Sequence, residues 1–151
     1  MSEINTSEFL RAFDEWVDKT RKAHNNAYRA MVLQLFTSIV KRTPVDRGRL
    51  RGNWQITVGS FPNNEELDVR DKSGSSAISR AKPVLEYPNI DEEYTFIHNN
   101  LPYAQTAEFG EWGDGPKTVG GYSKQAPSGM VRVTLTEFER ALKQAAREHK
   151  I

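Results

Sequence analysis

The chain has 151 residues, 37% of them hydrophobic and 27% charged, with 21 Lys and Arg against 20 Asp and Glu and no cysteine. That length suits one domain spanning residues 1–151, with a real but modest core. A formal net charge of +1 supplies no global attraction to nucleic acid or to an anionic membrane, and the absence of cysteine removes disulfide frameworks, thiolate metal sites and cysteine nucleophiles together.

The mean hydropathy of -0.68 is low, so part of the apolar surface is expected to be covered only on assembly. Residues 1–9 show neither a basic start nor an apolar run, and no stretch reaches bilayer-spanning length. The expected place of action is the cytoplasm, or a particle built there.

Asn5 with Glu8 three residues later has the spacing of a capping box and predicts a helix start. Phe9, Phe13, Trp16 and Val17 recur at helical spacing, as do Tyr28, Met31, Val32, Leu35, Phe36, Ile39 and Val40, the second set being the better core candidate. His24-Asn25-Asn26 between them marks a bend or short break as one option. Thr43-Pro44 ends the helix, because a residue before proline is pushed out of the helical region.

Pro44 to Gly48 reads as a turn. Leu50, Gly52, Trp54, Ile56 and Val58 then alternate with polar residues, which predicts a strand from Leu50 closed by Gly59. Residues 60–75 are rich in Asn, Ser, Pro and acids and predict a flexible, net acidic connection. Ser76 is placed to cap a short helix through Ala77, Ile78, Ala81, Val84 and Leu85, limited by Pro83. Tyr94 to Asn99 predicts a second strand, Asn99 to Pro102 a turn, and Tyr103 to Phe109 two helical turns closed by Gly110 in the left-handed conformation.

Residues 110–129 hold six of the ten glycines, with Pro116 and Pro127, and predict a long loop without regular structure. Its Trp112, Val119 and Tyr122 are poor residues to leave in water and are the predicted subunit-interface residues; Trp112 folded back on its own core is the competing reading. Replacing Trp112 with Ala is expected to abolish assembly and leave the fold intact. A last amphipathic helix runs from Met130 to about His149 through Val133, Phe138, Ala141, Leu142 and Ala145. The fold class is therefore α+β: long N- and C-terminal helices packed on a small antiparallel sheet, with a long Gly-rich loop.

Chemistry is hard to find. His24, His98 and His149 have no metal-ligand spacing, the acidic runs Glu65-Glu66 and Asp91-Glu92-Glu93 read as solvated turns, and Ser73 to Ser76 lacks a nucleophile-elbow pattern. The sequence thus predicts no catalytic, metal or cofactor residues, no enzyme and no small-molecule substrate. One basic cluster, Arg42, Arg47, Arg49 and Arg51 with Lys41, brackets the first turn and would meet DNA phosphates or an acidic neighbour. Lys143, Arg147 and Lys150 add charge to the last helix. A solvated basic edge is the plain alternative, and nothing supports sequence-specific reading of nucleic acid.

Three stretches in this order carry a resemblance. The first runs Thr43-Pro44-Val45-Asp46-Arg47-Gly48-Arg49-Leu50-Arg51-Gly52-Asn53-Trp54. The second is Ile97-His98-Asn99-Asn100-Leu101-Pro102-Tyr103-Ala104 followed by Glu108-Phe109-Gly110, and the third is Gln125-Ala126-Pro127-Ser128-Gly129-Met130-Val131-Arg132. Together they resemble the phage family of proteins similar to the tenth gene product of the siphophage HK97, called neck, head–tail connector or tail-completion proteins. Pro44, Asp46, Gly48, Trp54, Pro102, Tyr103, Gly110, Pro127 and Gly129 are the positions that match best.

The resemblance implies a compact α+β subunit that forms a ring, with six copies expected, below the portal and joins capsid to tail. It implies as partners further copies of the chain, neighbouring connector or stopper proteins, and tail-terminator or tail-tube proteins, with DNA passing through the channel and no membrane. It places the protein in the virion neck, assembled in the bacterial host cytoplasm. No catalytic residue is implied. The acidic segment from Glu65 to Asp71 and the Glu111-Trp112-Gly113 stretch depart from the family pattern. The ring is expected to use the long loop and a sheet edge. A sequence-nonspecific nucleic-acid-binding protein using Arg42 to Arg51 is the alternative function.

Overall fold

The computed structural model describes residues 6–148, and the side chains among them except those of 142 and 144–148. Asn5, His149 and Lys150 lie outside the described residues, as do the side chains of Leu142, Ala145 and Arg147. α1 spans Thr6–Arg42 without a break. Of the options left open at His24 to Asn26, the helix runs on unbroken, and there Asn25 is buried and its side-chain oxygen accepts the amide of Asp91 at 3.1 Å. A poor helix former is held there by a tertiary partner.

Only the second half of α1 is packed. Val32, Phe36, Ile39 and Val40 are buried, whereas Phe9, Leu10, Phe13, Trp16 and Val17 are all exposed. After the turn, α2 (Arg49–Gly52) is a single helical turn, followed by β1 (Trp54–Val58). The strand therefore starts at Trp54 and not at Leu50 as the alternation predicts. β2 (Thr95–Asn99) pairs antiparallel with β1, Trp54 opposite Asn99 and Ile56 opposite Ile97. The face bearing Trp54, Ile56 and Ile97 meets the core formed by α1 and α3 (Ser75–Val84), where Ala77, Ala81 and Leu85 are also buried.

α3 takes its start from Asp71 rather than Ser76. One Asp71 carboxylate oxygen accepts the Gly74 amide at 2.9 Å and the other the Ala77 amide at 3.0 Å, satisfying donors that a helix N-terminus leaves open. The segment 60–74 has no regular structure but is not a loose connection. The Asn53 side chain donates to Leu67 O at 3.0 Å and accepts Leu67 N at 2.7 Å, while Gln55 and Asn100 both donate to Glu65 O. Side-chain amides thus supply backbone partners that a third strand would otherwise offer.

A 3-10 turn (Ile90–Glu92) precedes β2, and α4 (Tyr103–Phe109) ends at Gly110 in the left-handed region, φ 67, as predicted. The 110–129 segment differs from expectation by containing a small hairpin, β3 (Thr118–Val119) with β4 (Tyr122–Ser123), turned by Gly120 and Gly121 at φ 58 and 86. Two consecutive positive φ values are what a tight two-residue hairpin loop demands. α5 (Val131–Glu148) closes the chain and packs along α1, where Arg42 pairs with Glu137. The architecture is α+β with two long helices, as predicted, and α5 packs chiefly on α1.

Candidate subunit interface

The three stretches that carry the family resemblance converge in space. The Gln125 side chain accepts Val45 N and donates to Val45 O, both at 2.9 Å, fastening the third stretch to the first. Asn99 donates to Leu50 O at 2.8 Å and fastens the second. Thr43 is buried, donates to Ile39 O and accepts the Trp54 indole N–H at 2.7 Å, so the tryptophan ring is locked across the end of α1. At Gly48, φ is 87 and a Cβ would lie 2.6 Å from the Asp71 backbone. Only glycine lets the 71–72 segment pass so close.

A groove of ≈ 730 Å³ opens where these stretches meet. Pro44, Val45, Leu50, Tyr103, Trp112 and Pro116 give it apolar walls, and Arg47, Arg49, Lys117 and Lys124 with one acid, Asp46, stand around it. Its volume is of the order that binding clefts need, about 300–1,000 Å³. Trp112 and Tyr122 are half-buried, with Trp112 packed against the hydrophobic core and its amide donating to Gly121 O at 3.0 Å. Of the three loop residues predicted at the interface, Val119 alone is exposed. Trp112 therefore serves both groove and core, so its loss would strike the fold as well as any docking.

The basic cluster is largely committed inside the molecule. Arg51 donates to Lys41 O, Thr43 O and Lys72 O at 2.7–3.2 Å; burial lowers its pKa, against an opposing pull from Asp71. Arg42 pairs with Glu137, and Arg49 lies 3.3 Å from Glu66. Among the described residues Arg47 is the one member of the four with neither an ion pair nor a side-chain hydrogen bond, and it lines the groove.

Glu108 was not singled out as a site residue by sequence. It is buried, and its carboxylate accepts the amides of Met130, Val131 and Arg132 at 2.6, 2.9 and 3.0 Å, which caps α5 from a distant part of the chain. Burial works to raise its pKa, but the amides of Arg132, Val131 and Met130 and the Arg132 side chain outweigh it, holding the carboxyl below its ordinary value. Gly129 sits against the Glu108 backbone, and Pro127 is exposed beside Tyr122 and Arg132. Pro102 stands at the N-terminal end of α4.

An exposed apolar stripe lies elsewhere, on residues 9–17 of α1. Phe9, Phe13 and Trp16 are 58%, 50% and 61% exposed and stack along the helix, with ring centroids 6.4 Å apart for Phe9 and Phe13 and 6.1 Å for Phe13 and Trp16. A second, smaller group, Phe61, Tyr94 and Phe96, lies at the far end of the sheet. His98 lies opposite Gln55, with Nδ1 3.1 Å from Asn100 Oδ1 and no hydrogen bond or ion pair to a carboxylate among the described residues. Among the described residues no group of His, Asp or Glu is arranged to hold a metal ion, and no helix is long and apolar enough to cross a membrane. Comparison with family models, curated proteins and solved structures finds no match to this chain.

Proposed function

We propose that the protein is a structural subunit of a tailed-phage neck, a non-enzymatic connector or tail-completion component that acts by assembling into a ring. The observation that carries this reading is the aromatic stripe of residues 9–17, which the chain's own fold leaves uncovered. A soluble monomer rarely keeps so continuous an apolar patch in water unless another molecule covers it. Support also comes from the resemblance, whose three stretches build one groove wall and its fastenings. The partners proposed are further copies of the chain, with connector or stopper and tail-terminator or tail-tube proteins above and below.

The alternative of nonspecific nucleic-acid binding through Arg42 to Arg51 has lost much of its motivation, since three of those four guanidinium groups are occupied within the chain. Sedimentation velocity of the full chain over a hundredfold concentration range tests the ring reading. A single species of several subunits is expected to replace the monomer as concentration rises, with little dependence on added duplex DNA. A monomer throughout, together with DNA binding that weakens steeply with salt, would favour the alternative.

A further inference from the structure

We infer that residues 6–20 of α1 in one copy dock into the groove of the next copy, beside the C-terminal end of its α1. This rests on the ring reading and specifies its joint.

Three observations converge. The arm is a helical segment whose apolar stripe, Phe9, Leu10, Phe13, Trp16 and Val17, is left exposed, and it carries Glu8, Asp14, Glu15 and Asp18 against Arg11 and Lys19. The groove has apolar walls and the opposite balance, Arg47, Arg49, Lys117 and Lys124 against Asp46. Arg47, Lys117 and Lys124 have no ion-pair partner among the described residues, so these charges stand ready for an acidic helix. An amphipathic helix seated in an apolar groove with a complementary rim is a recurrent mode of recognition.

The third observation is placement. α1 has 37 residues, about 55 Å of rigid helix at ~1.5 Å per residue. Phe13 is separated from the groove-bearing turn after Arg42 by about 40 Å of that helix, so the chain is unable to fill its own groove. Two complementary surfaces at opposite ends of one rigid element make a head-to-tail contact, the kind that closes into a ring when the rotation per subunit allows.

The test uses two variants of the full chain with substitutions at exposed positions, Trp16→Ala on the arm and the pair Arg47→Glu with Lys117→Glu on the rim. Circular dichroism and melting establish that both retain the fold. Light scattering after gel filtration is expected to show that wild type assembles and that each variant alone is weakened at least about tenfold, the effect of losing one hot-spot anchor. Mixed together, the two variants are expected to form a one-to-one dimer and nothing larger, because one intact arm then meets one intact groove.

If wild type assembles and the rim variant assembles equally well, the groove is not the acceptor. The joint proposed is then wrong while the ring reading stands. An assembling wild type with two unaffected variants has the same meaning. A wild type that stays monomeric at every concentration removes both the joint and the ring.

Discussion

Glutamine at position 108 is expected to destabilise the protein by roughly 2–3 kcal/mol at neutral pH, the scale of losing charge-assisted hydrogen bonds at a helix N-terminus. The Glu108 carboxylate accepts the Met130, Val131 and Arg132 amides together, and it also takes the Arg132 Nε–H at 3.1 Å. A glutamine keeps one oxygen and presents an NH₂ to donors where the second oxygen stood. The effect is expected to depend on pH in a definite direction. Because the folded-state pKa of Glu108 lies below its ordinary value, its contribution is complete above the unfolded-state pKa and fades as pH falls through the folded one. Chemical denaturation of wild type and Glu108→Gln should therefore show a gap that is widest near neutrality and closes in acid. An equal gap at pH 3 and pH 7 would show that the carboxylate charge contributes nothing.

Arg51→Ala is expected to cost a comparable amount, roughly 2–3 kcal/mol, because it removes the donors of three carbonyls at once, that of Thr43 part-buried. One guanidinium joins Lys41 O, Thr43 O and Lys72 O, and so ties α1 to the segment that leads into α3. Lysine is expected to recover little of the loss, since a single ammonium lacks the planar fork that spans three acceptors. Thermal melts of the two variants check this: near-wild-type stability in Arg51→Lys would mean that charge alone matters here and the geometry does not.

Much of the fold was legible where one period dominated. Trp54, Ile56 and Val58 alternate and form β1, and Tyr103 to Gly110 forms a helix with its glycine cap. Leu50 misled because it is four residues before Trp54, a spacing that suits a helical turn as well as an alternating strand. The 60–74 segment looked loose because the amides that hold it come from Asn53, Gln55 and Asn100, and fastening by side chains leaves no periodic trace. The hairpin around Gly120-Gly121 was hidden by strands only two residues long, though a Gly-Gly pair between Val119 and Tyr122 was the signal for it.

The candidate interface was legible in part. Tyr103 and the Pro44 to Gly48 turn were marked in advance and do line the groove, as does Trp112 from the loop. The fastening of the Gln125 side chain to the Val45 backbone was not legible, because it joins residues 80 positions apart that only the fold brings together. The arm illustrates a deeper limit. An apolar stripe at helical spacing reads the same whether it faces its own core or another chain, so residues 9–17 were legible as a helix and illegible as a free surface.

The direct measurement is a cryo-EM reconstruction of the assembled full chain. The account predicts a closed ring around a channel wide enough for duplex DNA, with density for residues 6–20 of each subunit in the groove of its neighbour. A face-to-face dimer, or a particle in which Phe9, Phe13 and Trp16 remain in solvent, would contradict it.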